Sequence, residues 1–196
     1  MDKQTKWSNN VIIADADYID KVAFDLIVNF ERMIGRRIPK ADMARWIECV
    51  ALDGGLKEGE NDTQVVLIHD KRRHKMENFV PANYDKELNA QAFKSTLGEF
   101  TISSYPVEDM VAADDFFVHV LQTVVSQPDV HRVVVIPNAE NATLYDNIRQ
   151  TLHFLDDDKK RITVLAMQPM QGGNFRQEIL GYSLMSALGI RADEIK

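Results

Sequence analysis

The sequence predicts an α/β fold, a three-layer α/β/α sandwich around a mainly parallel five-stranded sheet. Short, wholly apolar segments such as Val11–Ala14 and the "VVVIP" of "RVVVIP" alternate from end to end with stretches whose apolar residues recur at three-and-four spacing. Strands this uniformly apolar belong inside a parallel sheet covered on both faces. Right-handed crossovers then leave few other arrangements open.

Each element has its own signal. Val11–Ala14 is the first strand. Ile19, Val22, Ala23, Leu26, Ile27, Phe30, Met33 and Ile34 mark the first helix, with Gly35 at its C-terminal cap. A second helix is expected to begin at Pro39, with Met43, Trp46, Ile47 and Val50 as its stripe and Gly54–Gly55 as its stop. "TQVVLIH" is the second strand. A basic loop, "DKRRHKMENFVPANYD", leads to a predicted helix through Leu88, Ala92, Phe93 and Leu97, closed by Gly98. "EFTISSY" is the third strand, followed by a helix expected from Val107 to Ser126. "RVVVIP" is the fourth strand, followed by a helix from Ala142 to Leu155. "RITVLAM" is the fifth, and the loop "QPMQGG" precedes a final helix from Asn174 to Leu188. That last helix is apolar enough either to cover the sheet or to form a homodimer.

A chain of 196 residues, 45% hydrophobic and 27% charged, suits a single domain, assigned to residues 10–196 with residues 1–9 as a flexible tail. No apolar run approaches the roughly 18 residues that span a bilayer, so no membrane association is expected. "MDKQTKWSNN" lacks the apolar core of a secretory signal, and the single Cys49 excludes an internal disulfide or a cysteine zinc cluster. A reducing cytoplasm is the expected setting. The net charge of −7 argues against non-specific adhesion to nucleic acid but leaves room for a local basic groove.

Ligands of open parallel sheets bind beyond the carboxyl ends of the strands. Asp15 and Asp17 follow the first strand, His69, Asp70 and "KRRHK" the second, and Asn138 and Glu140 the fourth. On the helix after the third strand, a turn of about 100° per residue aligns Asp114 with Met110, Phe117 and Leu121, whereas Asp115 points away. A lone inward carboxylate needs a partner: a metal ion, an arginine or backbone N–H groups. Asp15 could instead cap the first helix, and Asp17 and Asp20 could be caps or solvated acids. Grouped at one edge, Asp15, Asp114, Asn138 and Glu140 make an all-oxygen site of the kind that suits Mg²⁺ or Mn²⁺, with Asp17 in support. Lys71, Arg72, Arg73 and Lys75 are placed either to guide a phosphate backbone to these acids or to form a solvated loop.

With these residues in place, the chain from Val11 to Met167 resembles the PIN-like nuclease superfamily, and within it the NYN branch. "VIIADADYI" matches the opening strand that ends in Asp, with Tyr18 where that family carries Asn. "VEDMVAADDFF" offers Asp114 for the family's helix-borne Asp, and "VVVIPNAEN" places Asn138 and Glu140 where two aspartates are expected. The resemblance implies a Rossmann-like fold and metal-dependent hydrolysis of RNA, with Asp15 and Asp114 as main ligands and catalytic residues and Glu140 in support. Asn138 supplies a neutral oxygen and weakens the charge of such a site.

Two other classes remain open. A PIN-like domain without its metal would serve as a binding or scaffolding module, which Asn138 favours. The "DAD" of Asp15–Asp17 also fits a haloacid-dehalogenase-like phosphatase, with one Asp as nucleophile and the next as acid/base. No phosphate-loop or dinucleotide fingerprint is present.

Overall fold

The computed structural model describes residues 6–153 and 155–195. Among these residues the main sheet has seven strands rather than five. In chain order the elements are β1 (Asn10–Asp15), α1 (Ala16–Ile34), β2 (Ala41–Asp42), α2 (Met43–Asp53), β3 (Asp62–Asp70), β4 (Phe79–Val80), a π-type turn (Tyr84–Leu88), β5 (Ala92–Ser95), β6 (Gly98–Val107), α3 (Ala113–Val125), β7 (Arg132–Ile136), α4 (Ala142–Thr151), β8 (Arg161–Ala166), β9 (Arg176–Ile179) and α5 (Leu180–Ala187). The sheet order is β5-β6-β3-β1-β7-β8-β9. All neighbours pair in parallel except β5, which runs antiparallel to β6, and β2 and β4 form a separate parallel pair.

Strand alternation sorts the core into two layers. Ile12, Ala14, Val65, Leu67, Val134 and Ile136 face one side and pack with α1, α2 and α5. Val11, Ile13, Val66, Val133, Val135 and Val164 face the other and pack with α3 and α4. Helices thus cover both faces. The chain moves outward from β1 through β3 to β6, then returns to place β7 on the other side of β1. The order reverses between β1 and β7, the place where ligands of such sheets bind beyond the strand ends.

Four expectations change. The helix predicted through Leu88, Ala92, Phe93 and Leu97 is a single turn followed by β5. Ala90, at φ 62°, breaks the turn, and its N–H donates to Ile102 O while Ile102 N donates to Gln91 O. Strand pairing wins because it also stacks Phe93 on Phe100, with ring centroids 4.9 Å apart. The second helix starts at Met43 rather than Pro39, because Asp42 accepts from Arg45 N and Ala41–Asp42 is held extended by β4. The helix bearing Asp114 starts at Ala113, since β6 continues to Val107 against Asp70; Met110 lies outside the helix and is 95% exposed. The last helix is preceded by β9, which takes up the free edge of β8, and Leu180, Leu184 and Leu188 cover the sheet.

Of the segment expected as a tail, residues 1–5 lie outside the described residues. Trp7 packs against the α3/α4 layer, and Asn9 O accepts from the N–H groups of His131 and Arg132. Phe154, in the helix expected to reach Leu155, also lies outside the described residues; α4 ends at Thr151.

Candidate functional site

The carboxyl ends of β1, β3 and β6, with the loop after β7, enclose a cleft of about 680 Å³. Asp15, Asp17, Tyr18, His69, Arg73 and Asn138 line it, with Lys21 and Arg72 at its margin. Asp15 is the last residue of β1 and the N-cap of α1, its Oδ1 accepting from Tyr18 N at 3.0 Å. Burial pushes its carboxyl up to about 6, and the charges of Asp17 and Asp114 act in the same direction. An acid set where two other acids repel it costs stability, which is the usual sign of a residue kept for binding or chemistry.

Asp114 reaches this edge from the first turn of α3, and Asn141 Nδ2 donates to its Oδ2 at 2.6 Å. Asn141 is also the N-cap of α4, accepting from Leu144 N. The loop after β7 and the start of α3 are therefore locked together through the two side chains. Asn138 Oδ1 accepts from Glu140 N at 3.2 Å. Glu140 is exposed and pairs with Lys21 at 3.5 Å. Asp15 and Asp114 thus share one edge, with Asn138 nearby, whereas Glu140 engages a lysine. No group of three or more His, Cys, Asp or Glu side chains placed to hold a metal ion is found among the described residues.

Asp17 accepts from Asp70 N at 2.8 Å, and its Oδ1, 3.8 Å from Arg73 Nη1, is buried without a hydrogen-bond partner among the described residues. Burial raises its carboxyl, with the Asp70 N–H and the positive charge of Arg73 pulling the other way. Tyr18 OH and His69 Nε2 are likewise buried without partners among the described residues. His69 stacks face to face on Tyr84, with centroids 3.7 Å apart, while its Nδ1 contacts Asp70 O at 2.9 Å. Asp20 is 3% exposed and accepts from Glu77 N, Asn78 N and Asn78 Nδ2. It is neither a cap nor solvated; it pins the basic loop to α1.

The basic residues divide. Lys71 pairs with Asp109 and Glu108, and Arg72 with Asp70, whose carboxyl that guanidinium holds well below its ordinary range. Arg73 faces Asp17 and Asp20 inside the cleft. Lys75 is exposed and bridges Asn83 through its backbone. Asn141, Lys21 and the inward-facing Arg73 carry no local sequence signal, since their partners Asp114, Glu140, Asp17 and Asp20 lie in other segments. The sequence marks His69 by position without a role, although the parity of Val65, Leu67 and His69 along β3 sets it on the α1 side.

An α/β protein with an acidic cleft at the carboxyl edge of a mostly parallel sheet is the class that fold and site define. Residues 4–195 match DUF6621, a family of unknown function, and the chain belongs to it. Comparison with curated proteins and with solved structures gave no match.

Proposed function

We propose that the cleft is a hydrolytic site for phosphate esters, and for RNA phosphodiesters in particular, working with Mg²⁺ or Mn²⁺. One observation carries the reading. Asp15 lines the cleft with its carboxyl raised to about 6, first by burial and then by the charges of Asp17 and Asp114. The donor set fits a hard cation: Asp15, Asp114 and the Asn138 amide oxygen would hold an ion that keeps most of its waters. Bound there, the ion would neutralise phosphate charge and activate a water.

The chain's own groups supply the rest. Arg73 and Lys21, which line the same cleft as Asp15, would attract the phosphate. Asp17, whose Oδ1 is buried without a hydrogen-bond partner among the described residues and lies 3.8 Å from Arg73 Nη1, would hold that guanidinium in the cleft. The parallel strands run in the order β6-β3-β1-β7-β8-β9, the doubly wound order of Rossmann-like sheets, which supports a Rossmann-like reading of the fold.

A second reading, a binding module without catalysis, is favoured by the way the site satisfies itself. Asn141 holds Asp114, Lys21 holds Glu140, and the Glu140 N–H takes Asn138. The test is cleavage of a labelled single-stranded RNA with Mn²⁺, Mg²⁺ or EDTA, run beside a chromogenic phosphate monoester. Metal-dependent RNA cleavage that falls roughly 10²-fold or more in Asp114→Asn supports the nuclease reading. Turnover of the monoester alone selects the phosphatase with Asp15 as nucleophile. No turnover of either substrate selects the binding module.

A further inference from the structure

We propose that the opposite, amino edge of the sheet carries a second binding site, which takes the phosphate of a small phosphorylated compound of nucleotide type. Three arginines form it. Arg132 and Arg161 begin β7 and β8 and stand directly opposite each other in register. Arg176 begins β9 opposite Thr163, two residues beyond Arg161 and therefore on the same face. Like charges directly opposite in a sheet are destabilising, so this row needs a reason.

The guanidinium groups converge. A Cβ built on Gly55 would meet Arg161 Nη1 at 2.6 Å and Arg132 Nη1 at 2.8 Å. Burial pushes Arg132 below its ordinary range, and the charges of Arg161 and Arg176 add to this. The C-terminus of α2 explains part of the cluster, since Arg132 Nη1 donates to Gly54 O at 2.6 Å. It does not explain the rest. Arg132 Nε is buried without a hydrogen-bond partner among the described residues. The ion pairs found among those residues engage other arginines: Arg36, Arg72, Arg73, Arg149 and Arg191.

The surroundings narrow the ligand. The arginines open on a cleft of about 960 Å³ that Lys57 and Lys159 also line, in a chain whose net charge is −7. Lys160 is committed elsewhere, its Nζ donating to Val125 O and Gln127 O. Planar guanidinium forks match the oxygens of a phosphate. Val125, Pro128 and Leu155 supply an apolar wall for a ring. Asp157 and Asp158 stand at the same cleft and interrupt the positive surface, which suits one small dianion and opposes a long polyanion.

Calorimetric titration of the full chain in EDTA, which removes any metal-dependent contribution of the acidic cleft, tests this with inorganic phosphate, pyrophosphate and ADP as probes. The expected result is binding of pyrophosphate and ADP, ADP the tighter. Arg161→Gln and Arg176→Gln should each weaken both by about tenfold, the scale of one lost charge-assisted contact. Asp15→Asn should leave both unchanged. Both arginine variants remove a like-charged neighbour, so their thermal midpoints should stay level or rise, which separates lost binding from lost folding. Absence of binding by all three probes overturns the site, as does binding unaltered in both arginine variants or lost in Asp15→Asn. Tighter binding of an unphosphorylated-end oligonucleotide than of ADP overturns the small-ligand assignment.

Discussion

Asp15→Asn isolates the cost of keeping an acid in the cleft. In the folded chain the Asp15 carboxyl ionises at about 6, against an ordinary value of 3.8. A group raised on folding favours the folded state below its unfolded value and loses that contribution as the pH rises through its folded value. The wild type should therefore lose stability from this residue between pH 3.8 and about 6. The difference between those two values corresponds to roughly 3 kcal/mol. Asn retains the cap acceptor for Tyr18 N, and Asn and Asp are near-equal caps. The attraction of the carboxylate to the helix N-terminus is already contained in that difference, and residual solvent contact of the partly buried side chain takes back part of it. The variant should be about 1–2 kcal/mol more stable than wild type at pH 8 and close to it at pH 4. Urea denaturation in EDTA at unit pH intervals measures the difference, and titrations shared by both proteins cancel. A variant less stable than wild type at pH 8, or a difference flat with pH, would refute the argument that Asp15 is held against its preference.

Asp20→Ala removes the acceptor for the Glu77 and Asn78 N–H groups inside a site only 3% exposed. The expected loss is about 3–5 kcal/mol, read from urea midpoints, together with faster proteolysis in the basic loop; a loss below about 1 kcal/mol would contradict it. Gly98 sits at φ +110° where an added Cβ would strike the Asn61 backbone. Gly98→Ala should therefore cost more than about 2 kcal/mol by thermal unfolding. Gly59→Ala, at φ +147° with only Asn61 Nδ2 at 4.0 Å, should cost clearly less, and equal costs would count against the β5–β6 hairpin.

What could be read from sequence follows from where the signal is local. β1, β3, β7 and β8 are buried on both faces, so their composition alone marks them. β5 and β9 are edge strands. Leu88, Ala92, Phe93 and Leu97 happen to fall at helical spacing, and only pairing with Ile102 and stacking on Phe100 decide against a helix. Both deciding contacts are tertiary. The same holds at the site. Asp15 is legible because an acid closing an apolar strand must sit at the carboxyl edge. Helical spacing sets Asp114 on a stripe with Met110, yet Met110 is solvent-exposed and the acid's partner, Asn141, is 27 residues away. Asp20 carries no local mark of burial, since the residues that cover it come 57 and 58 positions later. The basic run read as one patch because its partners, Glu108 and Asp109 for Lys71 and Asp17 and Asp20 for Arg73, lie in other segments.

The central claim is that Asp15 and Asp114 jointly bind a divalent cation. Calorimetric titration of Mn²⁺, then Mg²⁺, into the wild type and into Asp15→Asn and Asp114→Asn measures it directly. The expected result is a single saturable site per chain in the wild type that is lost in both variants. Absence of binding in the wild type, or binding that survives both substitutions, would contradict it.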